Sequence, residues 1–223
     1  MKPPIAIDLF CGKGGWTNGL LEAGFEVYGF DIAPQPEYKG IFVQCDILAL
    51  TADDLMKYGA SFATCSSPCE QFSLHGMKNF HPNPKYPEMG IKLFNHSRAL
   101  LEELDIPYVM ENVAPARKFV GAPVTHCGPF YLWGTGVPAI FPREAYKVTK
   151  GIQLAGGVKD WSNLSLEEKR VHRKTAFMVR YGSKSEERKE CSAAAAMIPL
   201  PIARAVAETA WNLTQARELA NAS

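Results

Sequence analysis

The sequence predicts an α/β domain in which a mostly parallel sheet carries helices on both faces. Three observations point there. Short apolar runs alternate with amphipathic stretches through the first half of the chain, the pattern of βαβ units. A glycine-rich turn, Cys11-Gly12-Lys13-Gly14-Gly15, separates the first apolar run from the first amphipathic stretch. Acidic residues close the next two runs, at Asp31 and Asp46, where a parallel sheet gathers them along one edge.

Taken in order, residues 5–10, 26–30, 40–43, 61–65 and 107–110 are short, apolar and bounded by turn signals, so they read as buried strands. Residues 16–23, 51–58 and 90–104 lie between them and read as helices. Thr51 is the expected N-cap of the second, because Asp53 and Asp54 follow in the first turn, where the helix dipole favours carboxylates. The alternation fails after Val113. A strand at 130–133 follows, and a last helix at 201–218 places Ile202, Val206, Ala210 and Leu213 on one face.

The 223 residues, 47% hydrophobic and 21% charged, have the composition of one globular domain and exclude a disordered or fibrous chain. No run approaches the roughly 20 apolar residues of a membrane span. Asp8 interrupts the N-terminus before a secretory core forms, so a soluble, cytoplasmic protein is expected. The six cysteines are spread over a chain large enough to bury its own core, which makes free thiols the expectation.

The net charge of +1 hides an uneven distribution. Residues 1–142 carry 10 Lys and Arg against 14 Asp and Glu, whereas residues 143–190 carry 12 against 7. This divides the chain into a core at 1–142, a basic insert at 143–190 and a C-terminal helix at 191–223 that returns to the core. A local basic excess is the footprint of a polyanion-binding surface and equally of a solvated loop.

Glycines at a strand-to-helix turn admit a ligand close to the backbone, as in nucleotide pockets, and also serve any tight turn. Asp31, about 20 residues further on, stands where an acid accepts both hydroxyls of a ribose. The phosphate-loop motif of nucleoside triphosphatases is absent, which favours a nucleoside without a phosphate chain. After the fourth strand, Ser66-Ser67-Pro68-Cys69 forms a rigid turn that lifts Cys69 off the strand end. A thiol there is a nucleophile where its surroundings favour the thiolate and a structural cysteine where they do not. Glu111 emerges from the apolar Val109-Met110, where desolvation would raise a carboxyl pKa into the range of a general acid; a carboxylate tied to backbone amides is the alternative.

These residues together resemble the S-adenosylmethionine-dependent cytosine carbon-5 DNA methyltransferases, and the compact length resembles the short phage and prophage versions. The stretch from Asp8 to Gly15 is similar to the family's first motif, Pro68-Cys69 with Phe72-Ser73 to its catalytic Pro-Cys motif, and Glu111-Asn112-Val113 to its Glu-Asn-Val motif, all in the family's order. The resemblance is clear over residues 5–113. It implies a Rossmann-like class I methyltransferase fold with a reduced target-recognition insert.

The resemblance also implies roles. Phe10 would pack on the adenine of S-adenosylmethionine, Gly12, Gly14 and Gly15 would admit its methionine part, Asp31 would hold the ribose and Asp46 the adenine amino group, with Asp8, Ile32 and Pro68 completing the cofactor site. Cys69 would add to carbon 6 of a flipped cytosine while Glu111 protonates N3, and Asn112 would lie on the substrate side. S-adenosylhomocysteine would be the product, and no metal is implied. Duplex DNA is the expected partner of an expected monomer, with Arg170, Arg173, Lys174 and Arg180 of the insert as its contacts.

The chain departs from the family pattern at Ser67, where an additional proline is usual, and at Glu70, where glutamine is usual; Glu70 is expected to point away from Cys69. The family's Gln-Arg-x-Arg strand is not found. Residues 125–134 occupy its place, with His126 the nearest candidate donor to the cytosine O2. Other readings keep the chemistry on RNA or a free cytosine nucleotide, or make the chain a catalytically silent binding module. A metal or redox site at Cys65, Cys69, His75 and His81 lacks a second cysteine pair at ligand spacing.

Overall fold

Strand β1 (Ile5–Leu9) runs through the centre of the sheet with every residue after Ile5 buried. It pairs in parallel with β2 (Glu26–Asp31) on one side and β4 (Phe62–Cys65) on the other. The computed structural model describes residues 2–76, 86–147 and 197–221, the side chains of 74–76 excepted. Outside β2 lies β3 (Ile41–Gln44), and outside β4 lies β5 (Tyr108–Asn112), both in parallel. A hairpin of β6 (Thr125–Cys127) and β7 (Phe130–Trp133) completes seven strands in the order β3-β2-β1-β4-β5-β7-β6, with β7 antiparallel to both neighbours.

Alternation along β1 sends Ile7 and Leu9 into one layer and Ala6 and Asp8 into the other. The first layer is the larger apolar core, where Ile7, Leu9, Cys65 and Met110 meet Phe72, Phe94 and Leu101. Its helices are α2 (Ala52–Met56), α3 (Glu70–Gly76), α4 (Glu88–Glu103) and α5 (Arg117–Val120). Thr51 caps α2 through a reciprocal capping box with Asp54. The other layer holds α1 (Gly15–Glu22) and α6 (Leu200–Asn221), packed on each other. Gly19 permits that approach, because a Cβ on it would lie 2.5 Å from the Ala203 carbonyl carbon. Phe25 and Trp211 meet edge to face at 5.8 Å, and Arg204 pairs with Glu22 at 2.6 Å on the exposed rim.

The expected strands and long helices form within one to three residues of their predicted ends. The expectation missed β6, α3 and α5, because three residues of strand and one or two turns of helix leave no readable period. Cys11, Cys45, Cys65 and Cys127 are free thiols, as expected. Among the described residues no helix is long and apolar enough to cross a membrane.

Candidate active site

Strand order reverses between β1 and β4, and open α/β sheets bind ligands outside the carboxyl ends of their strands at such a point. Two turns flank it, residues 10–15 after β1 and residues 66–69 after β4. The Trp16 indole Nε1 donates to Ser66 Oγ at 2.8 Å and ties the two turns together.

The first turn is conformationally unusual. Phe10, Gly12 and Gly14 have φ of 55°, 46° and 80°, so even the aromatic residue adopts the left-handed region that costs a non-glycine residue about 1–3 kcal/mol. A Cβ added to Gly12 would meet no atom within 4 Å, so the turn opens onto space rather than onto packed backbone. Asp31 closes the other side of that space. Its Oδ2 accepts the Gly12 N–H at 3.0 Å and its Oδ1 accepts the Ala33 N–H at 2.9 Å. Each oxygen keeps a second lone pair for a ligand hydroxyl. Asp46 is exposed one strand further out, where Oδ1 accepts the Leu48 N–H at 2.9 Å, and Ile32 is 64% exposed on the same rim.

Asp8 lies buried beneath this turn. Thr17 donates to its Oδ2 at 2.7 Å and Thr64 to its Oδ1 at 3.0 Å, while the Tyr38 hydroxyl lies 2.5 Å from Thr17 Oγ1. Burial pushes the carboxyl up to about 7, partly offset by the two threonine donors. The network joins β1, α1, β4 and the segment after β2, so it anchors the backbone that carries Gly12 to Gly15.

At the second turn the burial of two cysteines separates their chemistry. Cys65 is buried in the core, and desolvation pushes its thiol up to about 12. Cys69 is half-buried, four residues on, after exposed Pro68 and before exposed Glu70, which lies in the first turn of α3. Asn112, fully buried at the end of β5, holds this turn: its Nδ2 donates to the Ser67 carbonyl at 3.0 Å and to Ser67 Oγ at 3.1 Å. The hydroxyl is an acceptor that a proline at position 67 would lack. Parallel pairing of Cys65 with Met110 brings Glu111, 4% exposed, to the same edge as residues 66–69.

His126 is exposed on β6, stacked on Tyr131 with centroids 4.9 Å apart, and its Nδ1 lies 3.2 Å from the Gly128 carbonyl. Arg170, Arg173, Lys174 and Arg180 lie outside the described residues, as do His81 and the side chain of His75. Among the described residues no cluster of three or more His, Cys, Asp or Glu is placed to hold a metal. The structure adds Trp16, Thr17, Tyr38, Thr64 and Ser67 to the site. Polar Asp8 and Thr64 inside otherwise apolar runs were the available signal for the buried network.

A scan against protein-family models and a search of curated proteins by sequence returned no match. Among solved structures, the chain is similar to the Entamoeba histolytica methyltransferase EhMeth, with a TM-score of 0.51, 10% identity, and 95% of this chain and 99% of that chain covered. It also matches a protein described as a DNA modification methyltransferase encoded within an Escherichia coli prophage, at TM-score 0.39 and 22% identity over 51% of this chain. A third match is a mutant of Spodoptera frugiperda DNMT2, at TM-score 0.37 and 22% identity over 50% of this chain. The chain spans 33% and 36% of the lengths of these last two. The sheet order, the helices on both faces and the full-length likeness to EhMeth establish an α/β Rossmann-like methyltransferase fold.

Proposed function

We propose that this protein transfers the methyl group of S-adenosylmethionine to carbon 5 of cytosine in DNA. The observation that carries the proposal is the bond from Asn112 to Ser67, which couples the Cys69 turn to the strand end bearing Glu111, beside the open glycine turn. The cofactor fits this turn by the chemistry of its surroundings: open space at Gly12, a strained Phe10, and an Asp31 carboxylate with capacity for ribose hydroxyls. When bound, it supplies an electrophilic methyl group. Phe10, Gly14, Gly15, Ile32, Asp46 and Pro68 complete its cradle, and Asp8 supports the turn from below.

Cys69 adds as thiolate to carbon 6 of the cytosine, forming a carbon–sulfur bond while Glu111 delivers a proton to N3. Electron density then moves to carbon 5, which is otherwise too weak a nucleophile. Once carbon 5 carries the methyl group and loses its proton, the sulfur–carbon bond breaks and Cys69 departs as thiolate. Glu111 recovers the N3 proton. The base leaves the stack to reach Cys69. Arg170, Arg173, Lys174 and Arg180 are assigned to the DNA backbone.

The test is transfer of a labelled methyl group to duplex DNA, RNA and free cytosine nucleotide in parallel, with product analysis at carbon 5. DNA labelling in the parent, its loss in Cys69→Ser, and a covalent adduct on the Cys69 peptide with 5-fluorocytosine DNA are expected. Active enzyme that yields no such adduct overturns the covalent route. Label confined to RNA or free nucleotide overturns the DNA assignment.

A further inference from the structure

Beside the Glu111 strand end lies a cluster that the reaction above does not use. Strand β7 pairs antiparallel with β5, setting Tyr131 opposite Asn112 and Leu132 opposite Glu111, so Tyr131 stands about 5 Å across the ladder from the residue that holds the Cys69 turn. On its other side Tyr131 pairs with His126 of β6, the outermost strand. The two rings are nearly parallel, 15° apart, with centroids at 4.9 Å. Arg117, which opens α5, places its guanidinium carbon 5.6 Å from the same tyrosine centroid. Arg117, its neighbour Lys118 and His126 are exposed.

We propose that Arg117, Tyr131 and His126 form a ledge that receives a nucleotide of the DNA strand adjoining the base that is methylated. The inference rests on the function proposed above and adds to it a part of the substrate contact surface. A nucleotide offers a flat base and an anionic phosphate, and the ledge offers their complements. His126, backed by Tyr131, presents an imidazole face on which any base can stack, a contact that is tolerant of sequence. The bond to the Gly128 carbonyl fixes that ring, so little rotamer freedom is lost when a base arrives. Arg117 supplies the positive charge for the phosphate, and the tyrosine ring orients the guanidinium from behind. Flipping a cytosine leaves its neighbours without a stacking partner, and a ledge one strand from the Glu111 strand end substitutes for it.

The test measures binding of a fluorescent mixed-sequence DNA duplex by anisotropy across a salt series, in the full chain with S-adenosylhomocysteine present. Arg117→Glu is expected to weaken binding about tenfold or more and to lower the logarithmic salt slope by about one, the signature of a lost phosphate contact. His126→Ala is expected to weaken binding about fivefold or more with the salt slope unchanged, as for a lost stack. Tyr131→Phe, which keeps the ring, retains the parent affinity. Cofactor affinity and melting temperature should stay at parent values in all three, which separates a contact role from a structural one. Parent-like DNA affinity in both Arg117→Glu and His126→Ala overturns the ledge while leaving the methyl-transfer reading intact. Equal losses on an RNA of the same sequence, bound more tightly than DNA by the parent, support the ledge and overturn the choice of DNA. A parent that binds neither nucleic acid overturns both.

Discussion

Asn112 Nδ2 reaches both the carbonyl and the hydroxyl of Ser67, at 3.0 and 3.1 Å, so a buried amide on β5 grips the turn that presents Cys69. Its own Oδ1 accepts the Val113 N–H at 2.8 Å, which locks the amide orientation. Asn112→Ala leaves buried acceptors on Ser67 without their donor, a cost of about 1–3 kcal/mol in stability. Displacement of a catalytic group by about 1 Å can lower turnover roughly a hundredfold. We therefore expect a large fall in methyl transfer with unchanged cofactor affinity, and the similarly sized Asn112→Leu, which has no donor for Ser67 at any pH, should match the alanine variant. Single-turnover methyl transfer checks this, and parent-like rates in both variants would refute it.

Asp31 bonds the glycine turn before any ligand arrives. Removing it in Asp31→Ala deprives Gly12 of its acceptor and a ribose of its partner, and hydrogen bonds to charged groups are worth about 1.5–3 kcal/mol, so cofactor affinity should fall about tenfold to a hundredfold. Calorimetry with S-adenosylhomocysteine measures it. An unchanged affinity would remove Asp31 from the cofactor site.

The buried Asp8 carboxyl should make stability depend on pH. Its folded pKa, about 7, lies above the ordinary value of 3.8, so between these two the folded chain holds a proton that the unfolded chain has released. Stability from this group is complete below about pH 4 and declines as the pH rises toward 7, by an amount on the order of a few kcal/mol. Asp8→Asn, which does not titrate, should flatten that decline. Urea denaturation between pH 5 and 8 checks this, and equal slopes for parent and variant would contradict it.

Gly19 tests the packing of α1 on α6. Alanine in a helix interior ordinarily gains about 0.5–1 kcal/mol over glycine. Here the new Cβ would lie 2.5 Å from the Ala203 carbonyl carbon, and backbone atoms of a packed helix yield only at an overpacking cost of about 1–3 kcal/mol. Gly19→Ala should therefore lower the melting temperature. A rise would show that α6 moves away freely.

What the sequence determined alone was the set of short-range decisions. Apolar runs of strand length, a glycine turn, acids at strand ends and the Thr51 cap are all readable because each depends on a few neighbouring residues and on periods of two or near four. The same locality made Asp8, Cys69, Glu111 and Asn112 visible as candidates. It could not reveal that Asn112 grips Ser67 across 45 positions, that Trp16 joins Ser66 across 50, or that Thr64 and Thr17 close on Asp8 from two elements. Those contacts exist only once strand register is set, because parallel pairing brings together residues from distant crossovers whose own segments carry no trace of the partner. Register likewise made Tyr131 the neighbour of both Asn112 and His126. Tertiary pairing thus decided which of the locally legible side chains meet, and burial then assigned different environments to Cys65, buried, and Cys69, half-buried, four residues apart.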